Sequence, residues 1–137
     1  PRTVAMPYWN DRHPDHVAAS EVLTEAVFNA GLRRYPGQGE AWKADWICYY
    51  FINDTAAPSF VVDVTEYYDV KRRALDCHSS QFTPPAPDGA VATRLNTPLF
   101  RQLIESRDAQ FGVLAGVRWA EGVVVREPVL RAGLQKR

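Results

Sequence analysis

The chain has 137 residues, 46% of them hydrophobic, enough for one domain with a buried core and short for two, so a single region over 1–137 is expected. Sixteen basic and sixteen acidic residues cancel, which excludes a global charge that would draw the chain to nucleic acid. No apolar stretch approaches the roughly 18 residues of a membrane-spanning helix, and no signal-peptide pattern opens the sequence.

Residues 1–9, ending Met6-Pro7-Tyr8-Trp9, read as a loop. They carry no initiator methionine, and the expectation is a fragment of a longer protein. Pro14 then suits the first position of a helix, where its missing N–H costs nothing. That puts His13 near the N-cap and Asp15 and His16 in the first turn. Val22, Leu23, Ala26, Val27 and Ala30 repeat at helical spacing before Gly31, so a helix is expected from about Pro14 to Ala30. A loop follows from Arg33 to Lys43.

Two β-like runs come next, Trp46 to Ile52 and Phe60 to Val64, separated by turn residues that include Asp54 and Pro58. The first is apolar on both faces, as in a strand buried within a mixed sheet. After Thr65, the spacing of Tyr67, Val70, Ala74 and Cys77 predicts a second helix to about Ser80. Thr83 to Gly89, with its prolines, reads as a flexible or extended loop. Thr97 and Pro98 open a third helix whose one face carries Phe100, Ile104, Arg107, Phe111 and Leu114 and which ends near Gly116. Val123 to Val125 is a last short strand, and the tail after Pro128 turns polar. The order of elements fits part of an α/β layered domain. Cys48 and Cys77 are far apart and not in a CxxC, and are expected as reduced, buried thiols of a cytoplasmic protein.

The chemistry concentrates in Asp11-Arg12-His13-Pro14-Asp15-His16. Zinc accepts imidazole nitrogen and carboxylate oxygen, and an HxxH pair on one helical turn can set two imidazoles on one side of a cavity. Three protein ligands are normally required, however, and the only other histidine is His78. The residues alone therefore leave two readings open. In the plainer one, His13 caps the helix, His16 packs or faces solvent, and Asp15 complements the positive helix end.

Arg12-His13-Pro14-Asp15-His16-Val17-Ala18-Ala19 resembles the second signature of the LmbE-like zinc-dependent N-acetylglucosaminyl deacetylases. Phe60 to Thr65, Lys71 with Ala74, Ser80-Gln81-Phe82, Gly116-Val117 and Ala120-Glu121-Gly122 resemble the bacillithiol-forming branch, which removes acetyl from N-acetylglucosaminyl-malate. The resemblance implies an α/β fold, the C-terminal part of a Rossmann-like layered domain without its opening strand and loop. It implies a Zn²⁺ cofactor with His16 as a metal ligand, and His13 as the second histidine, which polarises the carbonyl and stabilises the oxyanion or donates a proton. Asp15 would orient His13 and keep it usefully protonated, and Arg12 would contact substrate hydroxyls or carboxylate, with a solvated loop arginine as the plain alternative. The expected partner is a small aminosugar substrate, with no nucleic acid and no membrane, and the protein is expected to be a homo-oligomer. Another aminosugar substrate and a non-catalytic α/β module are the alternatives.

The sequence also departs from the family pattern. The first signature, His-Pro-Asp-Asp, which would supply two ligands and the general base, is not present, and Asp11, Asp45 and Asp54 are not followed by it. Trp119 stands where tyrosine is expected before Ala120-Glu121-Gly122. His78 beside Cys77 is poorly placed to share a metal with it, because adjacent helical residues point some 100° apart, and a surface or groove-lining role suits it better. Gln81 reads as a structural hydrogen-bonding residue, and Glu121 as a structural acid or a subunit contact. Trp42, Trp46, Tyr49 and Tyr50 read as packing residues rather than a sugar platform.

Overall fold

The computed structural model describes residues 1–37, 39–82, 93–130 and 132–133, so the loop expected at Thr83–Gly89 lies outside the described residues. The fold is mixed α/β. In chain order it comprises β1 (Thr3–Pro7), α1 (Pro14–Ala30), β2 (Trp46–Tyr50), β3 (Phe60–Asp63), a 3-10 turn (Thr65–Tyr67), α2 (Tyr68–Asp76), α3 (Ser79–Phe82), α4 (Pro98–Ala115) and β4 (Ala120–Val124). The sheet has four strands in the order β1-β2-β4-β3. The chain divides into two compact units, 1–60 with 122–137 and 61–121.

In the first unit, β1 pairs in parallel with β2, Thr3 opposite Trp46 through Pro7 opposite Tyr50. Two neighbouring parallel strands need a crossover, and α1 supplies it. The expectation of a loop over residues 1–9 is corrected here. Pro7 is tolerated because it ends the strand, and the next residue's N–H resumes the pairing, Tyr8 N donating to Tyr50 O at 2.9 Å. Tyr49 and Tyr50 of β2 pair antiparallel with Val124 and Val123 of β4. Met6, Tyr49, Phe51 and Val124 form the apolar core of this unit.

Helix α1 has the expected bounds, with Pro14 in its first turn and Gly31 after its end. Its inward face differs from the expected one. Ser20 is fully buried, while Val22 is 65% exposed and Leu23 39%. On the inner side the Thr24 hydroxyl lies 3.3 Å from the Tyr49 hydroxyl and 3.4 Å from Met6 Sδ and bonds back within the helix to Ser20 O at 2.7 Å, while Val27 and Ala30 of the expected stripe are half-buried. Strand β2 is likewise not buried on both faces, since Trp46 and Tyr50 are each about two-fifths exposed; Trp46 stacks on Phe60. Cys48 and Cys77 are free thiols, but Cys48 is only half-buried and Cys77 is exposed, so the expectation of two buried thiols is corrected.

In the second unit the helix expected after Thr65 is broken. Its backbone runs as a 3-10 turn, then α2, then α3, with Cys77 and His78 between the last two. The buried residue is Tyr68 rather than Tyr67, which is 66% exposed. Tyr68 stacks flat on Trp119, centroids 4.0 Å apart, and its hydroxyl donates to Asp108 at 2.9 Å. Asp108 is buried on α4 and also accepts from Lys71 Nζ at 2.6 Å, which in turn donates to Glu121. Burial and the neighbouring Asp108 charge both push the Tyr68 phenol above its usual range, keeping it a donor. A buried carboxylate is tolerable only with such partners. Phe100, Ile104 and Phe111 complete the inward face of α4, as expected, but Leu114 is 74% exposed. The helix ends on Gly116 at φ 81°, in the left-handed region that favours glycine.

Gly112 packs where a side chain cannot go. A Cβ there would meet Arg118 O at 2.6 Å and Val117 O at 2.8 Å, both backbone atoms with little freedom to retreat. Gly112→Ala is therefore expected to lower stability by about 1–3 kcal/mol, the usual cost of overpacking, measured as a fall in the urea midpoint without a change in slope.

Candidate functional site

The candidate site forms where β1 and β2 end side by side. In sheets of this kind ligands bind beyond the carboxyl ends of parallel strands. The turn leaving β1 is held by aromatic contacts: Tyr8 sets its edge against Phe51, and Trp9 against Tyr49, centroids 5.1 and 4.8 Å apart. Arg126 lies over the Trp9 ring at 4.5 Å. This turn delivers Asp11, whose side chain is only 2% exposed.

Asp11 joins three segments. One carboxylate oxygen accepts the backbone N–H of His13 at 2.8 Å and lies 2.9 Å from His16 Nδ1 and 2.9 Å from Asn53 Nδ2. The other accepts the backbone N–H of Asn53 at 2.8 Å and of Asp54 at 3.4 Å. Burial by itself would raise the Asp11 carboxyl. The Asn53 amide, the His13 and Asn53 backbone N–H groups and the His16 ring outweigh it and hold the carboxyl well below the usual carboxylate range.

His13 is the N-cap of α1 in extended conformation, φ −91° and ψ 119°. Its carbonyl accepts the first helical hydrogen bonds, from His16 N and Val17 N. Its Nδ1 accepts the backbone N–H of Asp15 at 3.2 Å, so the capping group is an imidazole rather than the commoner hydroxyl or carboxylate. That bond uses the Nδ1 lone pair and leaves the proton of a neutral ring on Nε2. His16 lies one turn on, its ring stacked on that of His13 with centroids 4.8 Å apart. Among the described residues, neither Nε2 atom has a hydrogen-bond partner.

The sequence-identified residues thus divide. His13 and His16 come together. Asp15 touches His13 through its backbone, while its carboxylate is 88% exposed and 4.0 Å from Nδ1. Arg12 is exposed and has no ion-pair partner among the described residues. His78 is exposed, and its carbonyl accepts from Gln81 and Phe82 across the α2–α3 break. Asp11 and Asn53 were missed as site residues. Asp11 could have been found from its position two residues before His13, the spacing at which an aspartate caps a following N–H. Asn53 could not, because pairing of β1 with β2 brings it to Asp11 across 42 positions.

Toward a metal, His16 is suited in form. Its Nδ1 lies beside a carboxylate and its Nε2 has no hydrogen-bond partner among the described residues, the arrangement of histidines that ligate zinc with a carboxylate behind them. A full donor set is not present, since no group of three or more His, Cys, Asp or Glu able to hold a metal occurs among the described residues. No helix among those residues is long and apolar enough to cross a membrane.

No protein-family model matches the chain. Among curated proteins it is 28% identical over 142 residues to the 1D-myo-inositol 2-acetamido-2-deoxy-alpha-D-glucopyranoside deacetylase of Rhodococcus jostii (strain RHA1), covering 80% of this chain and 47% of that protein. It is 27% identical over 123 residues to the diacetylchitobiose deacetylase of Thermococcus kodakarensis, covering 86% and 40%. The chain spans about half the length, or less, of the curated relatives it matches. Among solved structures, the conserved protein TT1542 of Thermus thermophilus superposes over 100% of this chain and 57% of its own, with TM-score 0.84 and 33% identity. The N,N'-diacetylchitobiose deacetylase of Pyrococcus horikoshii covers 90% of this chain and 45% of its own at TM-score 0.69 and 23% identity. The 4-carboxy-2-hydroxymuconate hydratase GalB of Pseudomonas putida KT2440 covers 98% and 56% at TM-score 0.73 and 19% identity. The last two likenesses show the fold alone. The named curated relatives are deacetylases of N-acetylated aminosugars.

The capping network makes Asp11 the stability determinant of this region. Its carboxyl is depressed by folding, so its contribution is present above the unfolded pKa of about 3.9 and is lost as pH falls through the lower folded value. Asp11→Ala leaves several N–H donors unpaired and is expected to cost about 3 kcal/mol near neutral pH. That deficit should narrow on strong acidification, followed by urea unfolding from pH 7 downward.

Proposed function

We propose that the protein carrying this chain is a zinc-dependent hydrolase that removes acetyl from an N-acetylglucosamine conjugate. One observation supports it most: His16 is held with Nδ1 on Asp11 and Nε2 free, next to a second imidazole whose Nδ1 is also engaged. The deacetylase activity of the relatives fits that arrangement. In this reading His16 Nε2 is one metal ligand, and the other donors and the general base lie in polypeptide outside these 137 residues. When bound, zinc supplies Lewis acidity and lowers the pKa of a water toward about 7.

The chain's own residues would then act as follows. His13 directs its Nε2–H at the acetamide oxygen and holds the negative charge that develops there, a task that pre-aimed donors perform well in a site shielded from water. Asp15 orients that ring by its backbone N–H. Arg12, exposed beside the two histidines, contacts the hydroxyls or carboxylate of the conjugate. The particular substrate proposed is N-acetylglucosaminyl-malate, as in bacillithiol formation, in a cytoplasmic homo-oligomer. A second reading, a non-catalytic α/β module, is favoured by the want of a three-donor group among the described residues.

Metal analysis and deacetylase assay separate the two, made on this chain and on this chain joined to a segment bearing His-Pro-Asp-Asp. Zinc and activity appearing together with the added segment support the enzyme; neither appearing supports the module. Assaying the malate conjugate against the inositol conjugate and diacetylchitobiose tests the substrate.

Within the active form, His16→Ala is expected to abolish stoichiometric zinc. His13→Ala should keep the metal and lose about 10²–10⁴-fold in kcat. Asp15→Asn preserves the N–H that orients His13 and should cost less than about tenfold; a loss equal to that of His13→Ala would show that the carboxylate itself is required.

A further inference from the structure

We propose that Asp11, braced by Asn53, is a positioning residue that sets the tautomer and orientation of His16, so that the imidazole proton resides on Nδ1 before any metal arrives. The inference deepens the reading of His16 as a ligand, but its test needs no metal.

Asp11 is surrounded by hydrogen-bond donors. Four of its neighbours can only donate: the backbone N–H groups of His13, Asn53 and Asp54 and the amide nitrogen of Asn53. All four direct a hydrogen at the carboxylate oxygens, which are thereby used as acceptors. The fifth neighbour, His16 Nδ1 at 2.9 Å, must therefore carry its own proton or face an anion across a bare lone pair. Asn53 Nδ2 sits 3.3 Å from the same Nδ1 but 2.9 Å from the Asp11 oxygen, so both donors converge on that oxygen rather than on each other.

The arrangement also fixes where the ring points. Asp11 leaves the end of β1, His16 lies in the first turn of α1, and Asn53 follows β2. The carboxylate is held from both flanking segments, so rotation of the imidazole about its side-chain bonds would break a charge-assisted hydrogen bond at a site with little water to replace it. His16 is thereby pre-set with its Nε2 lone pair available. Asn53 joins the site as the residue that holds Asp11, although it touches neither reacting atoms nor metal.

The test is ¹⁵N NMR of the metal-free protein labelled at histidine, under alkaline conditions where imidazole is neutral, with His16 assigned by the signal lost in His16→Gln. The expected result is a pyrrole-type Nδ1 and a pyridine-type Nε2 for His16, and the reverse pattern for His13. Asp11→Ala should change the His16 tautomer ratio by about tenfold or more, the equivalent of losing one hydrogen bond to a charged group. If that variant does not fold, Asp11→Asn provides a weaker, uncharged acceptor and should shift the ratio in the same direction. A His16 protonated on Nε2 in the parent, or a ratio unmoved by the Asp11 substitution, overturns the proposal. Neither result depends on whether zinc binds, so the metal analysis above can fail or succeed independently.

Discussion

A single buried carboxylate organises the region that carries the chemistry. Asp11 takes N–H groups from the start of α1 and from the residues after β2. Without it, the ends of two parallel strands and the first turn of a helix would each leave donors unpaired in a partly dry place. That constraint explains why the two histidines lie as they do. His13 is used as a cap and His16 as a hydrogen-bond donor, so both rings have one nitrogen committed by the fold and one left over.

The commitment matters for what the site can do. Histidine is versatile because either nitrogen can hold the proton, and that versatility is a liability where a particular lone pair must face a ligand. Here the backbone N–H of Asp15 and the carboxylate of Asp11 both engage Nδ1, the first as a donor and the second as an acceptor, and so place the proton on opposite nitrogens of the two rings. One imidazole is left able to donate from Nε2 and the other able to accept there. Two identical side chains one turn apart are thus differentiated by their neighbours alone. Solved structures named as a hydratase and as a deacetylase share this fold, so the fold by itself does not decide between chemistries.

Much of this was legible in the sequence, and the exceptions have physical causes. The ends of α1 and α4 were readable because proline and glycine mark them. Strand β1 was hidden by a proline at its end and by its brevity. On α1 the expected stripe is only partly right: Ser20 is the buried position, flanked by half-buried Val17, Thr24 and Val27, while Val22 and Leu23 lie toward solvent. In the helix after Thr65, the apolar repeat through Tyr67 and Val70 proved to be the outer stripe, and Tyr68 anchors the inside through its hydroxyl and its ring. In both helices the most buried residue, Ser20 or Tyr68, carries a hydroxyl and lies outside the apolar repeat. The histidines were found from their motif, whereas Asn53 depended on strand pairing that no local pattern reports.

The inner side of α1 meets β2 through a pair of hydroxyls, Thr24 and Tyr49. Greasy surfaces tolerate slippage, since one methyl serves about as well as another. Thr24, whose hydroxyl reaches the Tyr49 hydroxyl on β2, is particular about angle. A slip of one residue would turn the helix by about 100° and swing its first-turn imidazole off the end of the sheet. The threonine, two turns away from His16 and without chemistry of its own, acts as a detent that keeps the helix from rolling.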